Sequence, residues 1–464
     1  MPSANHEQAE REFQAATAQH RAGQIDEAVE GYARVLRLDP NHKQCCNNLG
    51  VALRAQGKFQ AAVAAYCRAL AQVPDDAGTH SNLGNALRAL GRFDEAEACH
   101  RRAIKLDPNY IEARYNLGIA LKDKRRIGEA LACFNEVLAG KPDHADAHWD
   151  RALAWLVAGD FEHGWPEYEW RWQLAENPER DFTQPLWDGA DLEGRTILLH
   201  AEQGMGDSIQ FARYAPLVAA RGGRVVLECS APLTRLFETL DGVDEVVSKE
   251  DALPDFDVHA PLLSLPGTFA TTAQTIPCEI PYLAADPARA TQLRDQLTGL
   301  TGALKVGLVW AGKPSHKNDH NRSLGFEPLI GLLGLRNILF FSLQIGPRAE
   351  EMRTAGCDGL IYDLSGSIKD FADTAVLLEA LDLLITVDTS PAHLAGALGK
   401  PVWALIPYVP DWRWLLDRDD SPWYPSLWLF RQDQQGDWTG PLRRVAEALK
   451  ALADETAGGG RDPA

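Results

Sequence analysis

The sequence predicts a helical repeat solenoid followed by an α/β domain of two lobes, and three observations carry that prediction. The first is a fixed period: Pro40, Pro74, Pro108 and Pro142 stand 34 residues apart, as do Ala28, Ala62, Ala96 and Ala130. Asn-Leu-Gly recurs at the same step, at 48–50, 82–84 and 116–118. A period of roughly 20–50 residues marks stacked units that bury their faces on one another. The second observation is a change of pattern after a turn-rich, charged stretch from 176 to 194, where short aliphatic runs begin to alternate with helical ones. That alternation signals a parallel sheet. The third is that the alternation occurs twice, over 195–300 and over 301–453.

Within a repeat, a helix over 77–90 ends at Gly91, and a second over 93–106 is stopped by Asp107-Pro108, because proline cannot continue the hydrogen-bond ladder. Gly23, Gly57, Gly91 and Gly159 keep the same phase. The last unit departs from the pattern: Gly164 replaces the alanine, and Trp165, Tyr168, Trp170 and Trp172 follow it. Four large rings on a terminal repeat predict that it docks on a further surface. The expected organisation is a solenoid over 1–172, a linker over 173–194, a first lobe over 195–300, a second over 301–453 and a disordered tail over 454–464. In the first lobe, strands are expected at 196–200, 224–229, 243–247 and 257–260, with a helix at 207–221. A helix over 287–300 leads to five strands in the second, at 305–310, 338–343, 360–363, 383–388 and 402–407, closed by a helix at 440–452.

Composition excludes several classes of function. With 46 Lys and Arg against 65 Asp and Glu, the net charge of −19 repels nucleic-acid backbones, so no nucleic-acid partner is expected. No apolar run approaches the ~20 residues of a transmembrane helix and the N-terminus lacks a secretory pattern, so a cytoplasmic protein is expected. The 8 Cys show no paired spacing, which predicts neither a disulfide framework nor a bound metal. Cys99 and Cys133 share one repeat phase and read as core residues.

The repeats resemble the tetratricopeptide repeat, a family of protein-binding modules. Asn48, Asn82 and Asn116, with Asp150 next in phase, are similar to the asparagine ladder by which the repeats of protein O-GlcNAc transferases hold a polypeptide backbone. A carboxamide offers both a donor and an acceptor to any backbone. Helix packing is the alternative role for these positions.

Three motifs in the α/β region carry chemistry. Glu202-Gln203-Gly204-Met205-Gly206-Asp207-Ser208 follows a strand and opens a helix, where Gly204 and Gly206 permit close backbone approach and the helix start offers unpaired N–H groups. Asp207 reads as a general base or as a helix-capping acid. Asp388-Thr389-Ser390-Pro391-Ala392-His393 ends a strand and starts a helix, a site that attracts phosphate. Between them, Trp310 to Ser323 forms a loop carrying Lys313, Lys317 and Arg322, a basic island in an acidic chain, and Gln344 ends the following strand. Six Trp between 403 and 438 provide either packing or stacking surfaces.

The stretches from 202 to 214 and from 388 to 401 resemble the glycosyltransferase family of heptosyltransferase-like enzymes, with a two-lobed GT-B fold. That resemblance implies transfer of a sugar from a nucleotide-sugar donor to a hydroxyl of a glycan or polypeptide acceptor, inverting and without metal or cofactor. It assigns Asp207 as base, and Gly204, Gly206, Trp310, Lys313, Lys317, Arg322, Ser323, Gln344, Asp388, Thr389, Ser390 and His393 to the donor side. The repeats would hold the acceptor or a partner protein. The alternative is a non-catalytic repeat scaffold with a nucleotide-sugar-binding-like domain.

Overall fold

The computed structural model describes residues 4–175, 180–297 and 303–458. Parts of the expected linker (176–179), of the 287–300 helix (298–300) and of the tail (459–464) lie outside them. The chain divides into two compact units, which part between Trp155 and Leu156 rather than at 172.

The first unit is a run of paired helices: α1 (Ala4–Arg21) with α2 (Ile25–Leu38), α3 (Lys43–Ala55) with α4 (Phe59–Gln72), α5 (Ala77–Ala89) with α6 (Phe93–Leu106), and α7 (Ile111–Asp123) with α8 (Ile127–Gly140), followed by α9 (Ala145–Val157). Each pair closes on a small residue facing a ring. A Cβ on Gly50 would stand 2.5 Å from the Tyr66 ring, on Gly84 2.5 Å from His100 and on Gly118 2.6 Å from Phe134, so only glycine lets the second helix seat. Tyr32, Tyr66, His100 and Phe134 are themselves 34 residues apart and wholly buried, beside the equally buried Ala28, Ala62, Ala96 and Ala130. The turns between paired helices need a left-handed residue, supplied by glycine at Gly23, Gly57 and Gly91 and by Arg125 in the fourth pair, at φ 58°.

His100 is the imidazole of the ring series, and both of its nitrogens, like Tyr66 Oη, are buried without a hydrogen-bond partner. Burial, with Arg88 adding, pushes its pKa down to about 3. The folded imidazole stays neutral while the unfolded one takes up a proton below about 6.5, so this position loses stability as pH falls.

The second unit begins with α10 (Phe161–Tyr168), the aromatic helix of the last repeat, which packs on the α/β part of the chain. Trp165 is buried, donates from Nε1 to the Thr271 carbonyl at 2.8 Å and meets the Trp412 ring edge-on at 5.4 Å. A Cβ on Gly164 would lie 2.5 Å from Leu156, which explains the loss of alanine there.

Among the described residues the unit holds two parallel sheets. The first has order β3-β2-β1-β4, from β1 (Thr196–His200), β2 (Arg224–Cys229), β3 (Glu245–Ser248) and β4 (Val258–Pro261). The second has order β10-β9-β8-β5-β6-β7, from β5 (Leu304–Val309), β6 (Ile338–Ser342), β7 (Ile361–Asp363), β8 (Leu383–Val387), β9 (Val402–Ile406) and β10 (Leu427–Arg431). Both are wound outward in two directions from a central strand, as in Rossmann-like folds, and such sheets bind ligands where the winding reverses, at β1/β4 and β5/β8. Val306, Leu308, Ile385, Val387 and Leu405 form the core of the second sheet.

Three expectations change. The second sheet has a sixth strand, β10, whose pattern of buried Leu427, exposed Trp428 and buried Leu429 was masked by its reading as a tryptophan cluster. The expected 207–221 helix is three short pieces, α11 (Met205–Phe211), a 3-10 turn (Ala212–Tyr214) and Ala215–Ala219, with Pro216 at the start of the last. The final helix, Thr439–Gly458, runs into the expected tail.

Two outcomes are expected for the full-length protein under denaturant. Gly118→Ala drives a methyl into the Phe134 ring and lowers stability by about 1–3 kcal/mol, whereas Gly128→Ala, with nothing within 4 Å, is neutral or raises it by up to about 1 kcal/mol. His100→Phe, matching Phe134 in phase, stabilises, and its advantage over the natural protein widens by about 1.4 kcal/mol per pH unit once the pH is well below 6.5. A constant difference between pH 6 and pH 4.5 contradicts the buried-imidazole account.

Candidate functional site

The loops after β1, β5, β8 and β9 meet at the carboxyl ends of the two sheets, around a buried arginine. Arg413, in the 3-10 turn Trp412–Trp414 after β9, is 6% exposed. Its Nη2 donates to Asp207 Oδ1 at 2.5 Å, Nη1 to Asp411 Oδ1 at 2.8 Å and Nε to Gln210 Oε1 at 2.8 Å. The guanidinium lies 4.4 Å from the Trp412 ring centre. Burial works against its charge, but Asp411 and Asp207 outweigh it and hold the pKa above the ordinary arginine value. Sequence reading passed Arg413 over; its position among the rings at 412 and 414 was the available signal.

Asp207 occupies the first turn of α11, and the Gly204 N–H donates to its Oδ2 at 2.8 Å. The capping role is therefore present, and the second oxygen holds Arg413. Gly206 is close-packed, but against protein: a Cβ there would stand 2.9 Å from His393 Cδ2 and 3.4 Å from Ser390 Cα. This corrects the expectation that the glycine clears space for a ligand.

Asp388 follows β8, and Thr389 is the N-cap of the helix Ser390–Ala397. The Thr389 hydroxyl lies 3.3 Å from Thr386 Oγ1 and 3.4 Å from the Val387 carbonyl and makes no cap bond. Pro391 has no N–H and the Ala392 N–H donates to the Thr389 carbonyl at 2.9 Å, so the uncapped group at the helix start is the N–H of the half-exposed Ser390. His393 is buried, its Nδ1 3.1 Å from Tyr424 Oη and its ring stacked on Trp414 at 5.2 Å. Burial, assisted by Arg413, pushes its pKa down to about 3, which leaves a neutral imidazole. Asp388 is pushed up to about 6 by burial, with Asp411 adding and Arg322 opposing.

In the loop after β5, Trp310 is wholly buried against Phe326 and its Nε1 donates to Glu351 Oε2 at 3.2 Å. Gln344 accepts from the Trp310 and Ala311 N–H groups at 3.0 and 2.9 Å and donates to the Ala311 and Ile345 carbonyls at 3.1 and 3.0 Å. Both residues brace the loop rather than reach a ligand, because their polar groups are taken. Ser323 accepts from the Gly312 N–H at 2.9 Å and donates to Asp319 Oδ1 at 2.7 Å, also within the loop. Of the three basic candidates, Lys313 and Lys317 are exposed and Arg322 turns inward. Its side chain is 18% exposed, its Nε lies 3.9 Å from Asp319 Oδ1, beyond hydrogen-bond reach, and that nitrogen is buried without a partner. The buried N–H donors of Gln210 Nε2 and Trp414 Nε1 lack acceptors too. Among the described residues no group of three or more His, Cys, Asp and Glu is arranged to hold a metal ion.

In the repeats, the ladder positions bond to the neighbouring repeat: Asn82 Nδ2 donates to Asn47 Oδ1 at 3.1 Å, Asn116 Nδ2 to Ser81 Oγ at 3.3 Å, and Tyr115 Oη to Asp150 Oδ2 at 2.6 Å. Each partner lies 35 residues earlier, so the ladder pins the first helices of successive repeats together. Asn48 Oδ1 accepts from the adjacent Asn47 Nδ2 at 3.5 Å.

Comparison with known proteins agrees with this architecture. Tetratricopeptide repeat models match residues 12–42, 50–90, 84–124 and 115–163, and the model for glycosyltransferase family 9 (heptosyltransferase) matches 335–414. The chain carries tetratricopeptide repeats followed by a glycosyltransferase family 9 domain. The family 9 match encloses Gln344, Asp388 to His393 and Arg413, and leaves Asp207 and Arg322 outside. A curated relative, protein FlbA of Caulobacter vibrioides, is 31% identical over 332 residues, which are 65% of this chain; the chain spans about half, 54%, of that relative. Solved repeat proteins are also similar: YrrB, a TPR protein with an unusual peptide-binding site (20% identity, 38% of this chain and 94% of that one, TM-score 0.32), and MamA of Desulfovibrio magneticus RS-1 (17%, 37% and 97%, 0.34). Among the described residues, no helix is long and apolar enough to cross a membrane.

Arg413→Ala is expected to lower stability by about 2 kcal/mol or more, because Asp207, Asp411 and Gln210 lose their shared donor. Both carboxylates keep some solvent contact, which holds the loss below that of a fully buried pair. Arg413→Lys restores only part of it, since one ammonium cannot reproduce the three-way fork. Denaturation midpoints of the two variants check this.

Proposed function

We propose that the second unit transfers a sugar from a nucleotide-sugar donor to a hydroxyl acceptor, with the donor diphosphate held between Arg322 and the start of the Ser390 helix. The observation that carries this reading is the pairing of a turned-in guanidinium, its Nε without a partner, with an uncapped helix N-terminus at the β5/β8 reversal. The positive end of a helix, with the Ser390 N–H at its start, and a fixed cation suit a diphosphate, and they stabilise the charge that grows on it as the sugar leaves. No metal ion is required for that role. The family 9 match over 335–414, which contains the helix start, supports it.

On this reading Asp207 takes the proton of the acceptor hydroxyl as its oxygen attacks the anomeric carbon, in a single displacement that inverts the centre. Gly204 and Arg413 fix the plane of its carboxylate. The repeats present the acceptor, for which a polypeptide fits the remaining donor and acceptor capacity of the Asn82 and Asn116 amides. One observation favours the rival reading of a binding scaffold without turnover: both Asp207 oxygens already hold protein partners.

Calorimetry of the full chain with nucleoside diphosphates in EDTA tests the donor site. Binding of at least one is expected, weakened roughly 10- to 100-fold in Arg322→Ala, the loss of one charged hydrogen bond. No binding by the folded protein overturns the site. Given a donor, Asp207→Asn is expected to keep nucleotide affinity and lose about 10² to 10⁴ in turnover. Unchanged turnover leaves the scaffold reading.

A further inference from the structure

We infer that a cavity on the first lobe, away from the candidate diphosphate site, docks a basic side chain of a polypeptide. The cavity has a volume of about 540 Å³, within the roughly 300–1,000 Å³ of small-ligand sites. Its walls come from α10 and the turn after it (Glu162, Trp165, Pro166, Glu169), from Leu186, and from the segment after β4 that ends at Thr272. Two carboxylates line it and no Lys or Arg does.

The charge around it is unbalanced. Arg171, only 1% exposed, is shared by two carboxylates: its Nη1 donates to Glu169 Oε1 at 2.8 Å and its Nη2 to Glu202 Oε1 at 3.1 Å. Burial, opposed by Arg171 and aided by Glu169, pushes Glu202 up to about 7, so it carries only part of a charge at neutral pH and the Arg171 cation is matched mainly by Glu169. Glu169 is 40% exposed and borders the cavity, and Glu162 stands exposed at its edge. Glu169 is paired with Arg171 and its second oxygen accepts from Trp172 Nε1 at 3.2 Å, so the excess negative charge that an entering cation meets is that of Glu162 at the edge, backed by Glu169.

The rest of the lining selects the kind of cation. Trp165, Pro166 and the 59% exposed Leu186 are apolar, so a bare ion or a small hydrated amine leaves them wet. An arginine or lysine side chain lays its methylene stem on such a wall and keeps its charged head at the carboxylates, and apolar neighbours in the same peptide cover Leu186. Glu169 also accepts from Ser264 Oγ at 2.9 Å, and Glu202 opens the loop that leads to Asp207. If the transferase reading holds, a segment docked here lies on the acceptor side.

The probe is the peptide acetyl-Leu-Arg-Leu-amide, with citrulline replacing arginine as the neutral control, titrated into the full chain by calorimetry in low salt. The arginine peptide is expected to bind at least about 10-fold tighter than the control, and to weaken at high salt. Glu162→Lys, an exposed substitution, and Thr272→Trp, which fills the cavity without touching a carboxylate, each remove the preference. Equal affinity for the two peptides, no binding at millimolar peptide, or a preference that survives both variants overturns the inference. Nucleoside diphosphate affinity, measured in the same variants and expected to be unchanged, keeps this outcome separate from that of the donor site.

Discussion

The second unit depends on the contact between helix α11 and the start of the Ser390 helix. The two come so close at Gly206 that a single added carbon would press on the His393 ring and the Ser390 backbone. This brings Asp207 and Gln210, on one sheet's helix, within reach of Arg413, on the other sheet's loop. A buried guanidinium has to be neutralised and bonded, and here the helix from one lobe and the turn from the other complete its shell. Arg213 is a second buried cation at the junction, held by carbonyls and rings in place of carboxylates: it donates to the Gln210 and Trp423 carbonyls at 3.1 and 2.9 Å beneath the Tyr424 ring. The lobes therefore meet through two buried cations and a helix contact, and the start of the Ser390 helix sits at the edge of that junction.

The first unit is held by a simpler rule applied repeatedly. A glycine on one helix accepts a ring from the next, an alanine 34 residues from its counterpart fills the gap, and a polar residue reaches back to the preceding repeat. Because each device joins neighbours only, stability accumulates along the stack, and a defect such as the unpaired imidazole of His100 stays local. The same logic explains α10. Its Gly164 still packs on Leu156 of α9, but its aromatic run faces the α/β chain instead of another repeat, so a helix with repeat spacing belongs to the second compact unit.

The candidate site divides along physical lines. Features that follow from local backbone geometry were legible: a helix that starts at 389–390 with Pro391 in its first turn needs only neighbours in sequence. Residues whose role depends on free valence were not. Gln344 and Trp310 belong to a loop beside the site, yet their polar atoms are consumed by Ala311, Ile345 and Glu351. Lys313, Lys317 and Arg322 were equivalent as a basic run, and folding turned only Arg322 inward. Strand β10 was hidden for a related reason: the burial of Leu427 and Leu429 outweighs the exposed tryptophan between them.

By itself the sequence determined the helical repeat, the order of nine of the strands and the two strand-to-helix turns at 202–208 and 388–393, because periodicity, proline and glycine act over a few residues. The tertiary structure decided that the solenoid parts company with the rest at Trp155, that Asp207 is paired with Arg413 across 206 residues of chain, and that Arg171 must serve two carboxylates. Those are contests for a limited number of buried donors and acceptors, and which group wins is set only when distant segments are packed against one another.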